Sequence, residues 1–224
     1  MKSLVAPVLL ALAVAFATVG WLPEERLTER QDTGDYTTDN NGRAIAADPD
    51  GNLHVVWFGD CGPENQVWYR WRDAGTGEWS AADTISSEPT GACRPSVAVD
   101  DSGNVHVVWQ VGAFSNGTGI RYRQWNAAQQ EWGQVESVAD GHLCERPSVA
   151  CRLSGLVVAA WHEQSPGIWK NAFCARRVNG VWLAGEQVSG FFDGHQTSVG
   201  VGVDSVGHLG VLWRAAHTTN WLIL

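Results

Sequence analysis

Cations are the scarcest resource of this sequence: 15 Lys and Arg stand against 24 Asp and Glu, for a formal net charge of -9. That balance excludes a nucleic-acid binder, because neutralising phosphates needs an excess of Lys and Arg on some face. Met occurs once, Lys and Leu are sparse, and strong helix formers are therefore few, which argues against a helical protein. Charged residues make up only 17% of the chain against 44% apolar residues, enough to bury a core in one all-β domain or two small ones. Beyond the first 20 residues no apolar run is long enough to span a bilayer. Cysteine is limited to Cys61, Cys93, Cys144, Cys151 and Cys174, an odd number without regular spacing, so at most two pairs can form.

What the chain does have is 25 Gly and 13 Trp, a combination that points to many turns and many large flat side chains seeking burial. The N-terminus carries Lys2, an apolar run from Leu4 to Val19, and the small-x-small set Ala15-Phe16-Ala17 before Thr18. This is the grammar of a secretory signal peptide over residues 1–17, cleaved on export to a secreted, periplasmic or extracellular location, with an uncleaved anchor as the competing reading. Export makes disulfides permissible. Cys61 and Cys93 fall in loops expected on one face and able to meet. Cys151 and Cys174 lie on strands separated by a third, roughly 10 Å apart and beyond disulfide reach.

Trp57, Trp109, Trp161 and Trp213 recur every 52 residues, each ending an apolar strand that follows a Gly-containing turn. Aligning the copies gives GRAIAADPDGNLHVVW, RPSVAVDDSGNVHVVW, RPSVACRLSGLVVAAW and SVGVGVDSVGHLGVLW. A third strand follows in each unit, at Val67 to Trp71, Ile120 to Trp125, Ala172 to Arg177 and Trp221 to Leu224. A fourth pairs a leading Trp with an aliphatic residue six positions on: Trp79 with Ile85, Trp132 with Val138, Trp182 with Val188. Four strands in about 50 residues describe one blade of a β-propeller, so residues 18–224 are expected to form a single propeller domain of four repeats. The segment Trp21 to Thr28 has the same Trp-to-aliphatic spacing and is expected to serve as an outer strand completing the last blade, closing a four-bladed ring. The alternatives are a fragment of a larger propeller and two chains that complete one larger ring.

The pattern PSVAVDDSGNVHVVW, followed by IRYRQW and a Trp-led strand, resembles the bacterial-neuraminidase or Asp-box repeats of sialidase-like propellers. The resemblance spans essentially everything after Gly20. At the Asp-box position stand Asp73-Ala74-Gly75-Thr76-Gly77-Glu78-Trp79, Asn126 to Trp132, and Asn179-Gly180-Val181-Trp182, which keep the Trp and lose the full Ser-x-Asp-x-Gly-x-Thr-Trp box. What the resemblance implies is a propeller fold and, as one reading, sialidase-type glycoside hydrolysis with a Tyr nucleophile, a Glu that activates it and an Asp acid/base. Tyr36, Tyr69 and Tyr122 are the only tyrosines, and none is assignable beside a Glu. The family's Arg-Ile-Pro motif is missing, since Arg94-Pro95 and Arg146-Pro147 lack the intervening residue. No catalytic residue is carried over.

Propeller topology gathers the fourth-to-first and second-to-third strand loops on one face, which brings together Arg94, Arg146, Asp60, Glu64, Glu145, His162, Glu163, His195 and Arg214. Arg94 and Arg146 occupy the same place in successive units, and guanidinium forks of this kind grip a carboxylate bidentately. The competing reading is that they pair with Asp and Glu of neighbouring loops and fix blade packing. Paired carboxylates such as Asp60 or Glu64 with Glu163 keep a conventional hydrolase open. Trp169, near Pro166-Gly167, is the tryptophan best placed to stack on a sugar. His54 and His106 sit at equivalent strand positions and are read as packing residues, and Asp48-Pro49-Asp50-Gly51-Asn52 is read as a hairpin turn, not a calcium loop. The expected function is a non-catalytic glycan-binding propeller, or one for another surface ligand, with Arg94, Arg146, Asp60, His162, Glu163 and Trp169 as the ligand-binding candidates. A possible acidic sugar is the partner, and no metal or cofactor is called for. A sialidase-type hydrolase and a structural or interaction ring are the alternatives.

Overall fold

The computed structural model describes residues 24–28, 34–37, 44–59, 65–141, 143–152, 155–164, 167–190, 194–216 and 221–223. The segment 1–17, expected to be a signal peptide, together with Trp21, Arg43, Asp60, Cys61 and Glu64, lies outside the described residues. The fold is all-β: four antiparallel sheets follow one another along the chain, and no helix occurs among the described residues. The first sheet orders β1 (Ile45–Ala47), β2 (Leu53–Phe58), β3 (Val67–Arg72) and β4 (Asp83–Thr84). The second comprises β5 (Ala92–Val99), β6 (Val105–Ala113), β7 (Asn116–Asn126), β8 (Glu131–Trp132) and β9 (Glu136–Asp140). The third comprises β10 (Glu145–Cys151), β11 (Leu156–Glu163), β12 (Asn171–Val178), β13 (Val181–Trp182) and β14 (Glu186–Gln187). The fourth holds β15 (Gln196–Val203), β16 (Leu209–Ala216) and β17 (Trp221–Ile223).

The 52-residue units therefore become successive sheets, as the Trp spacing predicts. The fourth strand is the part that differs from expectation. It is broken in two wherever it occurs, so that β8 and β9 both pair with β7, and β13 and β14 both pair with β12. In the first sheet Trp79 makes only an isolated bridge to Arg72 ahead of β4.

Neighbouring sheets pack face to face like propeller blades. Tyr69, Ile85 and Val56 of the first sheet meet Val97, Val107 and Trp109 of the second. Val108, Tyr122 and Val138 of the second meet Val149, Ala159 and Trp161 of the third. Val158, Ala160 and Ala172 of the third meet Val199 and Val201 of the fourth. The middle strands thus lie between two apolar faces, which explains why β6 and β11 read as continuous Val- and Ala-rich runs instead of alternating. Two serines stitch the innermost strands together: Ser96 Oγ accepts the Val149 N–H at 3.2 Å, and Ser148 Oγ accepts the Val201 N–H at 3.4 Å. The packing runs from the first sheet to the fourth in order, and no comparable packing joins the fourth to the first among the described residues.

The hairpins between first and second strands share one design in the first, second and fourth sheets. Asp48, Asp100 and Asp204 each accept, through Oδ1, the backbone N–H four residues on, while Gly51, Gly103 and Gly207 take the positive φ. The Asp48 segment is thus a hairpin turn, as expected. His54 and His106 are tied into it: each imidazole lies between its turn aspartate and a tyrosine hydroxyl, at 2.7 Å for His54–Tyr69 and 2.8 Å for His106–Tyr122. Burial drives both tyrosine hydroxyls well above their ordinary range, so neither is a nucleophile at neutral pH.

Candidate functional site

Each innermost strand from the second sheet on carries a β-bulge at the same place. In β5 the register skips from Cys93–Gln110 to Ser96–Val108, leaving Arg94 and Pro95 opposite Trp109. In β10 it skips from Glu145–His162 to Ser148–Ala160, leaving Arg146 and Pro147 opposite Trp161. In β15 it skips from Thr197–Arg214 to Gly200–Leu212, leaving Ser198 and Val199 opposite Trp213. The repeating tryptophans and the repeating Arg-Pro pairs are therefore two sides of one device. Proline, lacking an N–H, is tolerated because the bulge interrupts the ladder. Arg94, Arg146 and Ser198 all adopt the left-handed backbone, with φ of 52°, 54° and 56°. Such a conformation costs a non-glycine residue about 1–2 kcal/mol, and it re-aims the side chain out of the alternating pleat.

These bulges converge on a cavity of about 330 Å³ lined by Arg94, Arg146, Glu145, His162, Lys170 and Arg214, with Phe114, Ser115, Thr197 and Ser198 completing the wall. Four cations thus face one carboxylate in a chain whose net charge is -9. Arg94 is only 2% exposed; its guanidinium stacks 3.6 Å from the Phe114 ring centroid and lies 4.0 Å from Glu145 Oε2. Phe114 sits at the exposed tip of the β6–β7 hairpin and also faces the Arg146 guanidinium at 6.0 Å. Gln110 braces the arrangement by accepting the Arg146 N–H at 3.2 Å and donating to the Ala113 carbonyl at 2.8 Å.

Glu145 is the electrostatic centre of the cavity. Its Oε2 accepts from Lys170 Nζ at 2.7 Å and lies 3.2 Å from His162 Nε2. Burial favours the protonated carboxyl, but the hydrogen bonds from His162 and Lys170, with the Lys170 charge, outweigh it and hold the pKa at about 2. Burial lowers the His162 pKa to about 4; the hydrogen bond to Glu145 opposes this, while the Lys170 and Arg146 charges add to it. At neutral pH Glu145 is ionised and His162 neutral. A carboxylate held so far below neutrality is a poor proton donor, and its role is to anchor Lys170 and Arg94.

The structure sorts the sequence candidates. Arg94, Arg146 and His162 line the cavity together. Glu163 does not: it follows His162 on β11, where side chains alternate, and its Oε2 accepts the Trp161 indole N–H at 3.0 Å on the other side of the strand. Trp169 is half-buried and outside the cavity wall, its ring set perpendicular to His195 at 5.1 Å. Asp60 lies outside the described residues. Lys170 and Phe114 were missed by sequence reasoning, because neither has a counterpart in the other repeats. The bulge itself had a signal, the recurrence of Arg-Pro at 52 residues opposite the recurring Trp.

Several solved structures are similar in fold. A protein of unknown function from Dyadobacter fermentans aligns with TM-score 0.60 at 11% identity, over 84% of this chain and 67% of that one. The endo-arabinase of Bacteroides thetaiotaomicron aligns with TM-score 0.50 at 12% identity, over 80% of this chain and 72% of that one. An ulvan polysaccharide lyase bound to GlcA(1-4)Rha3S aligns with TM-score 0.52 at 8% identity, over 83% of this chain and 57% of that one. The likeness is one of fold. It places the chain among all-β, propeller-like architectures that carbohydrate-active proteins use. No family model and no curated protein matches the sequence.

Proposed function

We propose that this chain is an exported, non-catalytic propeller that binds an acidic glycan in the cavity between Arg94, Arg146, Lys170 and Arg214. The observation that carries this reading is the concentration of cations: four of the chain's 15 Lys and Arg line one cavity, with Glu145 as the single carboxylate. The cavity volume of about 330 Å³ lies at the small end of ligand sites, which run roughly 300–1,000 Å³, and suits one sugar residue or the end of a chain. Arg146 and Lys170 provide donors for a carboxylate or sulfate. Phe114, exposed at the rim, provides an apolar face for the sugar ring. The likeness to carbohydrate-active folds, one of them bound to GlcA(1-4)Rha3S, is consistent with this ligand class.

Hydrolysis finds less support, because buried Tyr69 and Tyr122 are hydrogen-bonded to histidines and Glu145 is locked to Lys170. Export rests on the apolar N-terminal segment, and its check is N-terminal sequencing of the mature protein, expected to start at Thr18.

The binding test compares uronic-acid and sulfated oligosaccharides with neutral ones by calorimetry, for wild type and Arg146→Gly. Glycine suits the left-handed backbone at position 146, so the substitution is expected to leave thermal stability unchanged or raised. Acidic-sugar affinity should fall at least tenfold, and wild-type affinity should weaken with added salt. Equal binding of neutral and acidic sugars, or full affinity in Arg146→Gly, overturns the reading.

A further inference from the structure

The fourth sheet differs from the other three in one systematic way. On β16, Gly210, Leu212 and Arg214 form a row facing away from the third sheet, and all three are exposed. Their counterparts one, two and three repeats earlier are buried without exception: Val158, His106 and His54 for Gly210; Ala160, Val108 and Val56 for Leu212; His162, Gln110 and Phe58 for Arg214. Leu212 is 52% exposed, whereas Ala160, Val108 and Val56 are all 0% exposed. In the first three sheets this row is covered by the next sheet. The fourth sheet also has three strands among the described residues, with no outer strand beyond β17.

The first sheet has the opposite vacancy. Ile45 on β1 is 55% exposed, while its counterparts Val97, Val149 and Val201, pressed against the preceding sheet, are 0%, 0% and 7% exposed. The segment 24–28 lies on that side. Arg70 donates Nε–H to the Ser80 carbonyl at 2.7 Å and Nη1–H to the Leu27 carbonyl at 2.9 Å. One repeat later Arg123 donates Nε–H to the Gly133 carbonyl at 2.8 Å and Nη1–H to Ile85 at 3.0 Å, and Ile85 follows the outer strand β4 of the preceding sheet. By this equivalence residues 24–28 stand where an outer strand of a sheet ahead of the first belongs. They pair with no strand of the fourth sheet among the described residues.

We propose that a second copy of this chain fills both vacancies, docking head to tail so that each copy's segment 24–28 and first sheet cover the other's fourth sheet. The contact reuses the blade-to-blade interface that the chain already forms three times, with Leu212 at the centre of its row meeting the Ile45 face. Repeated on both sides it closes a ring of two chains, and a heterologous contact of this kind closes only if the rotation returns to the start. Arg214 belongs to both the exposed row and the cavity wall, so docking also shapes the rim of the candidate site.

The test is the solution mass of the full chain, by light scattering, for wild type, Leu212→Glu, Ile45→Glu and an equimolar mixture of the two variants. Both side chains are exposed on the single chain, so circular dichroism should match wild type, while the melting temperature should fall as the stabilising partner is lost; Leu212→Ser repeats the experiment with no added charge if the dichroism does not match. Wild type should have twice the chain mass of 24.3 kDa, and each variant alone the mass of one chain. The mixture should recover a two-chain species, because the intact tail of Ile45→Glu fits the intact head of Leu212→Glu. A monomeric wild type, a dimer that survives either substitution, or a mixture that stays monomeric overturns the proposal; the last would mean that like faces meet like.

Discussion

Glu145 and His162 touch at 3.2 Å, yet both are held below their ordinary pKa, and the two shifts act in the same direction on stability. His162 falls from 6.5 to about 4, so between those values the unfolded chain takes up a proton that the folded chain refuses. Glu145 falls from 4.5 to about 2, so the stability its ionised form contributes is complete above pH 4.5 and is lost as pH drops through about 2. The melting temperature is therefore expected to hold level above about pH 7 and to decline from pH 6.5 downwards. His162→Gln should shrink the decline between pH 6.5 and 4.5, the remainder coming from His54, whose pKa burial also lowers, while keeping the decline below it. A wild-type melting temperature level down to pH 4 would mean that His162 is charged in the folded protein.

At the scale of strands and sheets, the inner-strand serines are expected to carry more stability than their size suggests. Ser96→Ala leaves the buried Val149 N–H without its hydroxyl acceptor, a loss of about 1–3 kcal/mol by chemical denaturation. Ser102→Ala, in the exposed β5–β6 turn, should change stability by less than about 0.5 kcal/mol. Most of the strand pattern was legible in the sequence, because Val-rich strands and Asp-to-Asn turns recur with the Trp period and each repeat solves the same packing problem. The interrupted outer strands were not: Trp132 and Val138 read as one strand, but the backbone between β8 and β9 leaves the ladder, and six-residue spacing cannot report that. The cavity was half legible. Arg94 and Arg146 announced themselves by recurrence, while Lys170 and Phe114 sit in second-to-third strand loops whose sequences do not repeat. Glu163 adjoins His162 in sequence but does not line the cavity with it, because neighbours on a strand point to opposite sides.

For the whole molecule, the decisive property is that, among the described residues, each sheet packs extensively only on its neighbours in sequence order. The 52-residue spacing foretold four like units but not whether the fourth meets the first, since that depends on the angle between sheets and not on any residue pattern. Closed on itself or on a second copy, such an array gains its last interface only when all the others are in place, so association and folding are expected to be coupled.

The two serine stitches, Ser96 to Val149 and Ser148 to Val201, have a mechanical consequence. They lie between units connected in series along one chain, so tension applied at the two termini loads them one after another and not in parallel. Pulled in a single-molecule force experiment, the chain should yield in a sawtooth whose steps each release about 52 residues, on the order of 180 Å of extended polypeptide. A single large rupture would instead mean that the four units bear the load as one body.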